Sequence, residues 1–249
     1  MIDYRNNEHK SSQYEEIQLF CIPFAAGTAY SYRDIESRLD SRIKPVGIDL
    51  PGHGRKMGQP LFTDIGKIFD HVFTEIKKQL NNRPFAIFGH SMGATLTYLM
   101  AKKLRDENMP QPLHLFVSGR QGPPVPSKEK GIHLLPDAQF LDKVIELGGI
   151  SDEVAGEQEL IELFLPILKA DYHAITTYEY DKKAKPLDIP ITAMIGTIEN
   201  FTPEEATTWQ EVTSRPLDLK KFLGHHFFIF DHCQDIADII SKKLLDQPE

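Results

Sequence analysis

Short apolar runs alternate along this chain with longer segments in which apolar residues recur every three or four positions. The short runs, residues 17–22, 43–48, 85–88, 113–117, 191–195 and 217–222, have strand length. The longer segments carry helical stripes. One comprises Ile65, Ile68, Phe69, Val72, Phe73, Ile76 and Leu80, a second Leu96, Leu99, Met100 and Leu104, and a third Ile236, Ile239, Ile240 and Leu244. Strands alternating with one-sided helices predict an α/β protein, with a mostly parallel sheet and flanking crossover helices. The stripes are read as core and not as a cofactor box.

The alternation stops between Gly119 and Pro190, where the pattern reads as several helices interrupted at Gly148-Gly149 and at Pro166. The segment opens with Gly119-Arg120-Gln121-Gly122-Pro123-Pro124-Val125-Pro126, a run of turn formers suited to a chain leaving a sheet edge. A helical lid is therefore expected at about residues 120–189 of a single domain spanning 1–249. Helices there would roof the C-terminal strand ends, where ligands bind in open α/β sheets.

Composition narrows the function. Hydrophobic residues make up 41% and charged residues 26% of the 249, near the globular average, so the chain should fold alone. A net charge of -8 leaves no basic stripe for phosphate backbones and argues against a nucleic-acid partner. Residues 1–13 are polar without an apolar signal core, and no apolar run reaches membrane-spanning length. A cytoplasmic monomer without membrane attachment is the expectation. Cys21 and Cys233, the only cysteines, are read as reduced thiols.

The candidate chemistry centres on Gly89-His90-Ser91-Met92-Gly93, a G-x-S-x-G pattern. Such a pentapeptide arises by chance in ~5% of chains this long, so its context decides. A buried strand directly before it and a helical stripe directly after it are the confirming arrangement of the α/β-hydrolase fold, with Ser91 on a strained turn. A serine hydroxyl needs a base to take its proton and a carboxylate to orient that base, here in the chain order serine, acid, histidine. Among ten histidines, His9 lies in the polar tail, His71 and His173 in helical patterns and His114 in a predicted strand. The pair His225-His226 follows a strand and a glycine on a loop, so one of the two is the expected base. Glu199 is the one carboxylate of the loop Gly196-Thr197-Ile198-Glu199-Asn200 and is the expected acid. The oxyanion donors are expected to be the backbone N–H of Met92 and of Ala25, within the small-residue loop 23–27. Gly52-His53-Gly54 lacks dinucleotide-site spacing, and neither a metal cluster nor a cofactor is implied.

Beyond the serine motif, the sequence resembles the type II thioesterases, stand-alone editing hydrolases of nonribosomal peptide and polyketide synthases. The resemblance rests on Cys21-Ile22-Pro23-Phe24-Ala25-Ala26-Gly27 with Tyr32-Arg33, on Asp49-Leu50-Pro51-Gly52-His53-Gly54-Arg55, and on Arg83-Pro84-Phe85 leading into the serine motif. It continues through Leu135-Pro136-Asp137, Leu147-Gly148-Gly149, Phe164-Leu165-Pro166 and Asp171-Tyr172. It implies hydrolysis of acyl or aminoacyl thioesters on the phosphopantetheine arm of peptidyl or acyl carrier protein domains, regenerating misprimed carriers. The family's G-x-H-F-F pattern falls on Gly224, His226, Phe227 and Phe228, which selects His226 as the base. The family's acid is normally aspartate, whereas the matching position here is Glu199, one methylene longer. A product-releasing thioesterase, a small-molecule carboxylesterase and a non-catalytic carrier-binding protein are the alternatives.

Overall fold

The computed structural model describes residues 16–150 and 156–246; the polar tail with His9 lies outside them. One sheet holds β1 (Ile17–Ile22), β2 (Ile43–Gly47), β3 (Phe85–His90), β4 (Leu115–Ser118), β5 (Ile191–Gly196) and β6 (Asp218–Phe222). The spatial order is β2-β1-β3-β4-β5-β6, and every neighbouring pair is parallel. The helices are α1 (Arg33–Glu36), α2 (Ile65–Gln79), α3 (Met92–Asp106), α4 (Asp137–Glu146), α5 (Gln158–Thr176), α6 (Pro203–Thr207), α7 (Phe228–Asp231) and α8 (Cys233–Leu245).

Alternate strand residues feed two cores, because successive side chains of a strand point to opposite faces. Phe20 and Ile22 of β1 join the predicted α2 and α3 stripes on one face. Leu19 and Cys21 face the other, with Ile35 of α1 and with Ile236 and Ile240 of α8. Helix α2 starts where the Asp64 side chain accepts Lys67 N–H at 2.9 Å, an N-cap at the predicted start of the stripe. Burying both faces is what a parallel sheet requires, and it leaves the C-terminal strand edge to the loops.

All the expected strands are present, with shifted ends. The ladder of β4 begins at Leu115, so His114 precedes the strand, although Leu113 N–H still reaches Phe85 O at 2.8 Å. Leu217 N–H donates to Gln210 Oε1 and stands outside β6. Strand β3 runs on to His90, because Gly89 and His90 stay in register with Val117 and Ser118.

Residues 119–190 add no strand to the sheet among the described residues and carry α4 and α5, as the sequence implied. Ile132, Phe140, Val144 and Leu168 give this insertion a small apolar cluster of its own, against which Ala26 also packs. Helix α4 ends ahead of Gly148, which takes φ +73°, so the expected break at the glycine pair is there. The break expected at Pro166 is not: α5 runs through it. Pro166 and Glu162 are exposed, so water can bond the Glu162 carbonyl that Pro166 cannot, while Ile167 and Leu168 bury their side chains. No helix among the described residues is long and apolar enough to cross a membrane.

Because α5 continues through Pro166 without needing it, Pro166→Ala should raise stability, despite a more flexible unfolded chain. A gain of about 1 to 2 kcal/mol is expected, against the ~3 kcal/mol cost of an interior proline. Calorimetry should show a Tm higher by roughly 2 to 8 °C; a lower Tm would mean that the insertion requires a kink there.

Candidate active site

The chain leaves β1 for β2 on one side and returns across it to β3 on the other, which makes the crevice at the C-terminal ends of β1 and β3 a topological switch point. Two expected site segments emerge there, loop 23–27 after β1 and Ser91 after β3. Ser91 takes φ 54° and ψ -116° on the turn into α3, a conformation costing on the order of 1 to 3 kcal/mol for a residue with a side chain. Its N–H is tied to Ser118 O at 2.7 Å. The flanking glycines are sterically required. A Cβ on Gly89 would lie 2.2 Å from Gly93 O, and one on Gly93 would lie 2.2 Å from Ile22 O. Any larger residue would push α3 off the strands that aim the serine. Among the described residues the Ser91 hydroxyl has no hydrogen-bond partner of its own.

The neighbouring loops bring Glu199 and His226, the expected acid and base, together. Glu199 Oε2 accepts from His226 Nδ1 at 2.9 Å, with the carboxylate buried and the imidazole at 16% exposure. A carboxylate can only accept, so Nδ1 carries the proton and Nε2 keeps its lone pair for a substrate or serine proton. Glu199 Oε1 accepts Gly196 N–H at 3.3 Å, which folds the longer side chain back over its own loop. That loop is laced to the histidine loop through Thr197 N–H to Phe222 O at 2.8 Å, Ile198 N–H to Gly224 O at 2.9 Å and Gly224 N–H to Thr197 Oγ1 at 3.1 Å. His225 is exposed and has no carboxylate partner among the described residues, whereas His226, the base the resemblance selects, meets Glu199.

His90 lies against this pair, its ring centroid 4.7 Å from that of His226. Its Nδ1 is 3.0 Å from Ser118 Oγ, while its buried Nε2 has no partner. Burial, with a smaller contribution from His226, drives its pKa well below the ordinary value, so it stays neutral. An imidazolium forming on His226 would therefore meet no second cation.

Met92, the first residue of α3, is fully buried, and its N–H is one of the helix's unbonded N-terminal donors. Ala25 lies in a turn closed by Gly27 N–H to Phe24 O at 2.8 Å. Ala26, the turn's third residue, takes φ +58°, where glycine is usual. Its N–H is held by Asp171 Oδ2 at 2.7 Å. The same oxygen lies 2.9 Å from His53 Nε2, and His53 Nδ1 lies 2.8 Å from Pro51 O. Both ring nitrogens thus face acceptors, and a ring so placed holds both protons. Burial lowers the His53 pKa, but the Asp171 carboxylate, the Pro51 carbonyl and Asp49 more than offset this and raise it overall.

A cleft of about 950 Å³ opens between these loops and the insertion, bordered by Phe24, Ala25, Leu147, Phe164, His226 and Phe230. Sequence reasoning missed Asp171, His53 and His90 as parts of the site. Asp171 and His53 stood out only as members of motifs, and no pattern links residues 118 positions apart. Among the described residues no group of His, Cys, Asp or Glu is arranged to hold a metal ion.

The thioesterase domain profile matches residues 17–244. The gramicidin S biosynthesis protein GrsT of Aneurinibacillus migulanus is 34% identical over 92% of this chain and 89% of its own length. ClbQ from the colibactin pathway superposes with TM-score 0.87 at 28% identity, covering 92% of this chain and 97% of that one. The type II thioesterase BorB from the borrelidin cluster gives TM-score 0.82 at 30% identity over 94% and 95% of the two chains. With this fold and these matches, the chain belongs to the thioesterase domain family: it is a thioester hydrolase close to the type II thioesterases of nonribosomal peptide and polyketide pathways.

Proposed function

We propose that Ser91 is the nucleophile, His226 the general base, Glu199 the orienting acid, and the N–H groups of Met92 and Ala25 the oxyanion donors. The substrate is an acyl or aminoacyl thioester on the phosphopantetheine arm of a carrier protein domain, and the reaction regenerates misprimed carriers. Ser91 Oγ attacks the thioester carbonyl as His226 Nε2 takes its proton, the carbonyl electrons move to oxygen, and the tetrahedral species collapses to a seryl ester. The proton passes to the departing thiolate, and water then cleaves the ester by the same base. The buried Glu199 carboxylate on His226 Nδ1, with the His226 ring 4.7 Å from that of His90, the residue just before a serine held on a strained turn, is the observation that carries the reading.

The insertion, approximately residues 120–189, serves as the lid of the acyl pocket, since Leu147 and Phe164 border the cleft. Ile145, Ile198 and Phe230 are exposed at the same cleft, which suits docking of an acidic carrier on an acidic enzyme through apolar contact.

Ser91→Ala should lower hydrolysis roughly 10⁴-fold or more and abolish labelling by a fluorophosphonate. His226→Ala should do nearly as much damage, whereas His225→Ala should cost little; near-wild-type turnover in the serine or His226 variant would sink these assignments.

Glu199→Gln should preserve the fold but lower kcat by about 10² to 10⁴, since an amide cannot stabilise the imidazolium. Glu199→Asp should fall between the two, because its shorter reach draws the carboxylate away from Nδ1 unless the loop follows. A fully active Gln variant would exclude Glu199, although Asp188 pairs with Arg215 at 2.7 Å and Glu204 lies in the first turn of α6, away from this role.

Acyl carrier protein should give a higher kcat/KM than the same acyl group on pantetheine, because carrier contacts supply binding energy remote from the carbonyl. Moderate salt should impair the rate only weakly. Equal specificity constants would favour a general esterase.

A further inference from the structure

Apart from the cleft at His226, the molecule holds a second, smaller cavity of about 310 Å³ that the mechanism leaves unused. It forms where the chain leaves β4, between residues 120–127, the first part of α3 and the chain leaving α5. Its polar lining is unsatisfied. Gln121 is 5% exposed and Thr95 4%, both border the cavity, and neither side chain has a hydrogen-bond partner among the described residues. Arg120 borders it too, and its guanidinium makes neither a hydrogen bond nor an ion pair among them.

An arginine keeps its charge inside a protein, and a buried cation without a partner is costly. Burial lowers the Arg120 pKa, and Glu129, Tyr172 and Tyr178 offset only part of this. Glu129 acts on it at a distance, because its own oxygens accept from Ser127 Oγ at 2.8 Å and from Asn200 Nδ2. The backbone that presents the guanidinium is pinned. Trp209 Nε1–H donates to Arg120 O at 2.9 Å, Gly122 N–H donates to Glu205 O at 3.2 Å, and a Cβ on Gly122 would lie 2.3 Å from Thr208 Oγ1.

The missing partner is therefore an anion. Exposed Lys130 and Lys182 border the cavity with one carboxylate, Glu179, so cations predominate here in a chain of net charge -8. A guanidinium offers two parallel N–H donors at the spacing a carboxylate accepts. Gln121 and Thr95 are neutral donors, so the buried lining balances one negative charge and not the nearly two of a phosphate. We propose that this cavity is a carboxylate-binding site in which Arg120, with Gln121 and Thr95, holds the anion. Thr95 lies one helical turn, ~6 Å, along α3 from Ser91, so the carboxylate has two sources: the far end of an acyl group on Ser91, or a free acid.

The test uses the full chain as wild type, Arg120→Met and Gln121→Leu. Calorimetry reads the binding of glutarate, with neutral glutaramide and inorganic phosphate as controls. Glutarate should bind wild type more tightly than either control, and Arg120→Met, similar in length but uncharged, should weaken it about 10- to 100-fold. Its Tm should not fall, since no counter-ion is lost. Equal binding of glutarate and glutaramide, tighter binding of phosphate, or a lower Tm with glutarate affinity unchanged overturns the proposal. Should Arg120→Met not fold, Gln121→Leu decides, by weakening glutarate several-fold or by leaving it unchanged, the latter overturning the proposal.

The source is read from kcat/KM for adipoyl- and hexanoyl-pantetheine, which differ by a carboxylate in place of the terminal methyl. In each, water supplies the oxygen of the released acid and the thiol leaves with a proton. A preference for adipoyl in wild type that vanishes in Arg120→Met assigns the carboxylate to the acyl group; equal rates beside tight glutarate binding assign it to a free acid. Only this second arm rests on the function proposed above. Hydrolysis of both thioesters by Ser91→Ala would overturn the nucleophile, while the glutarate result would still decide the site.

Discussion

The close approach of α3 to β1 is the constraint on which the site depends. Gly93 presses so near to Ile22 O that no side chain fits between them, and Gly89 is equally tight against Gly93. This contact places the first turn of a helix at the topological switch of the sheet, with Ser91 forced into a positive φ just ahead of it. One steric condition thus delivers a half-buried serine without a hydrogen-bond partner among the described residues, an unbonded Met92 N–H and a helix N-terminus that favours negative charge. The β1 loop, which carries Ala25, emerges beside them because β1 and β3 are hydrogen-bonded neighbours.

Glu199, the proposed acid, shows how a longer side chain is accommodated. Glutamate in place of aspartate would overshoot a histidine held at fixed distance. Here the carboxylate spans back to its own Gly196 N–H while its other oxygen meets His226. The two loops are also bonded through backbone and Thr197, so the pair's separation is set by the loops as a unit. Gly196 makes this possible, since a Cβ there would lie 2.7 Å from the Gly224 and His225 carbonyls.

What was legible in the sequence was local. Apolar runs and helical stripes gave the strand order along the chain, and the glycines about Ser91 gave the turn, because each reflects forces acting over a few residues. Strand ends escaped: His114 and Leu217 continue the pattern, but their partners end or bond elsewhere. Pro166 misled because proline's rule is about a lost hydrogen bond, and on an exposed helix face water can replace it. The choice of His226 over His225 came from resemblance alone, and its physical basis, the carboxylate at Nδ1, needed the fold. Asp171 with His53 was invisible as a pair, since burial of charge is a property of packing.

Two of the molecule's histidine–carboxylate pairs, His226–Glu199 and His53–Asp171, present their rings in opposite ways. In His226–Glu199 one nitrogen is held and the other left with its lone pair at the cleft, so the ring can gain and lose a proton. In His53–Asp171 both nitrogens face acceptors away from solvent, so the ring holds its carboxylate and offers no lone pair to a substrate. His90 completes the contrast as a buried ring kept neutral by desolvation. What separates a proton carrier from a holding ring and a neutral spacer is the number of ring nitrogens given an acceptor and the access of the remaining one. Of these three histidines, only His226 combines a carboxylate at Nδ1 with a place on the cleft, the condition that a general base must meet.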